Sequence, residues 1–186
     1  FPVLSFLCLC LTGMSAKAYG RGAPIAPLAR QCVDHVLGVV VRSLSKAGAR
    51  VQTDIFVVSD PGFSTVEVAV DLRELRKANG FHVATEFGDN PAPGDIMIVP
   101  NGGTEFFYVK GHDAEATRKL VEWLQQSDFA GVIFSREGLP GTFRLNAAAL
   151  ATKDAPDVVW AFRWTRAKNQ FGAQGMMSAD GQRKGG

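Results

Sequence analysis

A chain of 186 residues is long enough for one ordinary domain with a real core. Its 46% apolar and 20% charged residues are those of a globular protein; a net charge of +2 argues neither for nor against a nucleic-acid partner, no lysine/arginine run lines a predicted helix face, and no duplex binding is expected. Three cysteines, Cys8, Cys10 and Cys32, are too few for a disulfide-built scaffold.

Phe1 to Leu11 is almost wholly apolar. Such a run fits a strand covered on both faces, so Phe1 to Cys10 is read as a buried strand. The rival reading is a secretory leader, since Ala16-Lys17-Ala18 imitates a small-x-small cleavage site. Against the leader stand the missing initiator methionine and basic flank, and the run is too short to span a bilayer. It gives no dependable export signal, and the sequence predicts no transmembrane segment.

Leu11 to Pro24 is rich in glycine and small residues and is read as a loop. Ile25 to Ala47 is an amphipathic helix: Val33, Leu37, Val40 and Leu44 recur on one helical face, and Gly48 stands where a terminating glycine belongs. Thr53 to Ser59, centred on Ile55-Phe56-Val57-Val58, is the second strand, broken by Asp60-Pro61-Gly62. Strand, helix, strand predicts a right-handed unit whose two strands run parallel.

Leu72 to Ala78 reads as a short helix closed by Asn79-Gly80. Asp95 to Val99 and Glu105 to Val109 are strands joined by Asn101-Gly102-Gly103. That turn could bring backbone amides near a phosphate, but a plain hairpin accounts for it better. Asp113 is a candidate N-cap for a helix with Ala116, Leu120, Val121 and Leu124 inward, ending near Ser127. Ala130 to Phe134 and Val158 to Trp164 are strands, and Gly172 to Gly186 has no periodicity. Alternating strands and helices predict an α/β sheet covered by helices.

Ligand sites in such sheets lie beyond the carboxyl ends of strands, which directs attention to Leu11–Pro24 and Ser59–Phe63. Those segments carry a resemblance that runs nearly the length of the chain. They are Ala18-Tyr19-Gly20-Arg21-Gly22-Ala23-Pro24, Thr53 through Phe63, Gly111-His112-Asp113, Leu124-Gln125-Gln126 and Gly131-Val132-Ile133-Phe134-Ser135-Arg136. Ala155-Pro156-Asp157-Val158-Val159 through Arg163-Trp164 and Ser178-Ala179-Asp180-Gly181 follow. In order and spacing they are similar to the type I phosphodiesterase/nucleotide pyrophosphatase family of the alkaline phosphatase superfamily.

The resemblance implies an α/β, alkaline-phosphatase-like fold with a mainly parallel sheet flanked by helices. Over residues 1–186 it is expected to be incomplete, without the nucleophile region that precedes it in the family or the Gly-Thr-His-Gly metal loop that follows. It also implies two zinc ions, a hydroxyl nucleophile and a small phosphoester or nucleotide substrate. Histidine nitrogens and carboxylate oxygens hold zinc while leaving a position open, and two ions ~4 Å apart can clamp the attacking and leaving oxygens of an in-line displacement. The family tendency is towards the periplasm or secretion.

Residue by residue, the likeness is incomplete. Asp60 matches the aspartate of the family's Asp-His-Gly, making it the one metal-ligand candidate, but the histidine position is Pro61. Aligned on Tyr19-Gly20, Gly13 stands where Asp-x-x-x-His has its aspartate and Lys17 where it has its histidine. One carboxylate cannot hold a zinc pair, so the expectation is a chain that retains no metal, has no catalytic residue of its own and is inactive alone. The alternative is a non-catalytic binding module on the same fold.

The remaining residues have plain readings. An aspartate after a strand commonly caps a turn, and that is what Asp60 would be without the resemblance. Cys8 and Cys10 share a strand face but lack a second ligand pair, so buried free thiols are expected. His35 and His82 are read as surface or packing residues and His112 as part of a helix start. Trp123, Trp160 and Trp164 are expected in a core or interface. Lys168-Asn169 and Arg183-Lys184 lie in polar, solvated stretches. Unpaired sheet edges predict poor solubility for the isolated chain.

Overall fold

The computed structural model describes residues 5, 7–59, 62–72 and 80–181, with the side chain of Lys17 excepted. The chain divides into two compact units: Phe1–Thr65 with Ala167–Gly175, and Val66–Arg166 with Met176–Gly186.

The first unit is helical. Helix α1 (Leu11–Tyr19) occupies a stretch whose glycines predict a loop, and it packs on α2 (Ile25–Lys46). The glycine-rich turn lies between them: Gly20 and Gly22 take positive φ, and a Cβ on Gly22 would sit 3.1 Å from the Cβ atoms of Phe171 and Ala173. The α2 bounds agree with the sequence periodicity, and Gly48 follows its end at φ 69. Asn169, expected to be merely solvated, ties this unit together. Its amide donates to the Arg21 carbonyl and to Thr65 Oγ1, and its Oδ1 accepts from the Phe171 and Ala173 N–H groups.

Of two strands expected in this unit, neither forms among the described residues. Thr53–Ser59 is irregular, with Phe56 85% and Val58 88% exposed. Ser5 and 7–9 also lack strand structure, and Cys8 and Cys10 are exposed rather than buried, their sulfurs 3.4 Å apart. The rest of the first expected strand lies outside the described residues. The parallel pair around α2 is therefore not made here. An apolar run becomes a strand only when a neighbour supplies a ladder for its backbone groups, and composition does not supply the neighbour.

The second unit holds a six-stranded sheet of order β2-β3-β4-β7-β5-β6. Its strands are β2 (Val83–Ala84), β3 (Ile96–Asn101), β4 (Thr104–Val109), β5 (Ala130–Ser135), β6 (Phe143–Arg144) and β7 (Val158–Phe162). A three-stranded sheet has the order β1-β9-β8, with β1 at Thr65–Val70, β8 at Trp164–Lys168 and β9 at Gln174–Asp180. Strand β9 falls where no periodicity was found, yet it buries Ser178, Ala179 and Asp180. The helix expected at Leu72–Ala78 lies mainly outside the described residues.

The larger sheet is not mainly parallel. β3-β4, β4-β7 and β5-β7 are antiparallel, and only the short outer pairs β2-β3 and β5-β6 are parallel. The reason lies in the connections. β3 and β4 are joined by a tight hairpin with Asn101 opposite Thr104 and Gly102 at φ 66, so the plain turn reading of Asn101-Gly102-Gly103 holds. Helix α3 (Ala114–Gln125) links β4 to β5 in the usual crossover, which leaves those two strands parallel to each other. β7 then slots between them, antiparallel to both, as in a split βαβ unit.

α3 starts as expected, with Asp113 Oδ1 accepting from the Ala116 N–H at 2.8 Å. Leu120, Val121 and Leu124 are buried with Phe107, Ile133, Val158 and Trp160 in one core. Burying such a side chain contributes about 1.5–3 kcal/mol. Trp160 stacks on Phe107 and meets Phe129 and Phe162; Trp123 is partly buried, while Trp164 is exposed. Because side chains alternate across a strand, Phe106, Phe134 and Val159 pack elsewhere, around Leu145 and Ala155. A register shift separates Ala130 from Ile133 against β7. Gly131 lies in that bulge, where a Cβ would come within 2.9 Å of the Phe162 carbonyl oxygen.

Candidate functional site

The split unit brings three strand ends to one place. Val158, at the start of β7, stands opposite Phe107 on β4 and Ser135 on β5. The residue before it, Asp157, therefore meets the residues that leave β4 and β5. It is only 3% exposed. Its Oδ2 accepts from the Val109 N–H at 2.7 Å, and its Oδ1 accepts from Arg136 Nε at 3.1 Å. His112 Nδ1 lies 2.6 Å from that same Oδ1. The backbone adds to the clamp: Asp157 N–H donates to Phe107 O and Arg136 N–H donates to Asp157 O, each at 2.8 Å.

A carboxylate taken out of water needs compensation, and this one has two side chains and a main-chain donor. Arg136 also donates from Nη2 to the Ala155 carbonyl. His112 reaches the carboxylate from a short 3-10 turn, Lys110–His112, in which both Gly111 (φ 71) and His112 (φ 51) are left-handed. Beside the cluster is a cavity of about 90 Å³ whose lining includes His112, Thr117, Ser135, Arg136, Leu139 and Asp157.

A second, wider hollow of about 590 Å³ lies along Phe81–Ala84 and the loop before β3, where His82 Nδ1 stands 3.6 Å from Asp95 Oδ1. Lys110 Nζ lies 5.9 Å from the centre of the Phe87 ring. His35 is exposed on α2. Among the described residues no helix is long and apolar enough to cross a membrane.

The sequence places His112 only at a helix start and assigns no role to Arg136 or Asp157. All three fall in segments that carry the family likeness: Gly111-His112-Asp113, Gly131 through Arg136 and Ala155 through Val159. The family model for type I phosphodiesterase / nucleotide pyrophosphatase matches residues 12–167. The chain belongs to that family. No curated relative and no solved structure matches it.

Asp60 and Pro61 lie outside the described residues. Gly13 sits on α1, where an added Cβ would be 3.6 Å from Phe63 Cζ, and Lys17 is on the same helix. At the positions where the resemblance implies metal ligands, the donor chemistry does not fit a zinc pair. Gly13 has no side-chain donor, proline offers no ligand atom at position 61, and an ammonium at position 17 repels a cation. Among the described residues, no three His, Cys, Asp or Glu side chains stand together in a way that could hold a metal.

Proposed function

We propose that this chain derives from a metal-dependent hydrolase of phosphodiester or pyrophosphate bonds, with nucleotide-type substrates, and that the chain as it stands does not catalyse that reaction. The observation that carries the first half is the family match across residues 12–167. The second half rests on side-chain chemistry at the expected ligand positions. Asp60 keeps the carboxylate of the family's Asp-His-Gly, and Gly13, Lys17 and Pro61 supply nothing to share the metal charge with it. With one ligand where about four are needed, ancestry and activity part company.

The test is metal analysis of the purified chain after incubation with zinc, together with turnover of bis(p-nitrophenyl) phosphate. Sub-stoichiometric zinc and no release of p-nitrophenol are expected. Stoichiometric zinc with turnover that Asp60→Ala abolishes would overturn the proposal.

A second reading, a non-catalytic module on the same fold, is favoured by Lys17, whose charge opposes metal binding. The triple variant Gly13→Asp, Lys17→His, Pro61→His separates the two. Recovered zinc binding points to an enzyme scaffold that lost its ligands. A folded variant that still takes no zinc points to a scaffold that has moved on to binding.

A further inference from the structure

The cluster at the ends of β4 and β5 plays no part in the proposed hydrolysis, and its construction is that of an activated imidazole. His112 adopts φ 51, a left-handed conformation that residues other than glycine seldom take and that collects at functional positions. What that conformation secures is the 2.6 Å contact between Nδ1 and Asp157. A carboxylate at Nδ1 accepts a hydrogen bond from the N–H of the neutral ring, so the lone pair resides on Nε2. The carboxylate is itself held by Val109 and Arg136, which fixes the ring's orientation. The His112 side chain is 63% exposed, so a reagent reaches it from solvent.

Arg136 supplies the complementary charge. Its bonds to Asp157 and to the Ala155 carbonyl use two of the five N–H donors of a guanidinium, a group suited to phosphate oxygens. Charged groups close by in the chain are Glu137, which lines the cavity and is exposed, Asp113, whose carboxylate is occupied in capping α3, and Lys110, which opens the turn that carries His112. The cavity's roughly 90 Å³ accommodates a phosphoryl group.

We infer that His112, oriented by Asp157 and flanked by Arg136, is a nucleophilic site that accepts a phosphoryl group from small phosphoryl donors with a nitrogen leaving group. With phosphoramidate, protonated on nitrogen, the Nε2 lone pair attacks phosphorus while the P–N bond breaks. Ammonia departs with its three hydrogens, and an N–P bond joins the ring to the phosphoryl group. The ring, now an imidazolium, faces the Asp157 carboxylate, and Arg136 lies beside the added oxygens. None of this uses the metal positions, so it stands or falls separately from the hydrolase reading.

The experiment treats the whole chain with potassium phosphoramidate near neutral pH and follows acid-labile phosphorylation of each histidine by mass spectrometry. His82 is the internal reference. Its side chain is 90% exposed, more than that of His112, and its Asp95 partner is distant at 3.6 Å. Accessibility alone would therefore make His82 the faster site. Labelling of His112 about tenfold faster than His82 is expected, within the range that an orienting partner confers on a histidine. Equal or slower labelling overturns the inference in the unaltered protein. Asp157→Asn, checked for folding by circular dichroism, should slow His112 labelling about 10- to 100-fold and leave His82 unchanged. A folded variant with unchanged His112 labelling also overturns it, and if the variant does not fold, the comparison between histidines decides.

Discussion

Two apolar stretches of nearly the same length have opposite fates in this chain. Val158-Val159-Trp160-Ala161-Phe162 becomes β7, the strand on which the larger sheet closes, with four of its five residues buried. Ile55-Phe56-Val57-Val58 forms no strand, and Phe56, Val57 and Val58 are all exposed. Their hydrophobicity differs little. What differs is company: β7 has a ladder on each side, from β4 and from β5, and core side chains on both faces. Burial follows from having neighbours for backbone groups as well as for side chains.

The hardest blow to that contrast is Trp160→Ala. It removes the ring that meets Phe107, Phe129 and Phe162, and loss of such a buried aromatic costs about 3–5 kcal/mol. Denaturant unfolding followed by far-UV circular dichroism should show the midpoint fall accordingly. A change below about 1 kcal/mol would mean that β7 is not the centre of the core. Asp113→Ala comes next. It removes the acceptor for the Ala116 N–H at the start of α3 and is expected to cost about 1 kcal/mol in the same measurement. Val57→Ser, in the uncovered run, should fall within about ±0.5 kcal/mol, as for other exposed positions. A large destabilisation there would show that Thr53–Ser59 is covered in solution.

Much of the second unit is legible in the sequence itself. The Asn101-Gly102-Gly103 hairpin, the Asp113 cap and the inward face of α3 all follow from local chemistry, because turn and cap residues act on backbone groups a few positions away. Sheet direction was not legible. The β4-α3-β5 crossover does leave its strands parallel, but a later strand separates them, and no local pattern announces that β7 will be the one to do so. The same insertion hid the candidate site. Asp157, Arg136 and His112 meet only because β7 lies between β4 and β5, so their convergence is a fact of topology. Within the sequence the signal was indirect: each stands in a segment that carries the family likeness. Asp60 was legible through that likeness alone, since an aspartate closing an apolar run is otherwise an ordinary turn residue.

The smallest effect comes from the outer face of α3, where charge and not burial is at stake. Glu115 Oε1 lies 3.0 Å from Arg118 Nη2 and 3.3 Å from Lys119 Nζ, and Arg118 Nη1 reaches Glu122 Oε1 at 2.6 Å. Hydrogen bonding to Arg118, then to Lys119, holds the Glu115 carboxyl below its ordinary value, and the bonds to Glu115 and Glu122 raise Arg118 above its own. A carboxylate whose folded pKa is depressed binds protons more readily when the chain is unfolded. Its stabilising contribution is therefore complete above the ordinary glutamate range and is lost as pH falls through the lowered folded value. Glu115→Gln should lower the melting temperature slightly at pH 7 and not at all at strongly acidic pH. Added salt should shrink the difference at pH 7, because the groups are exposed and their attraction is screened. A deficit that grew on acidification, or that resisted salt, would place the role of Glu115 in packing and remove the distinction between this charged face and the buried one that carries Leu120 and Leu124.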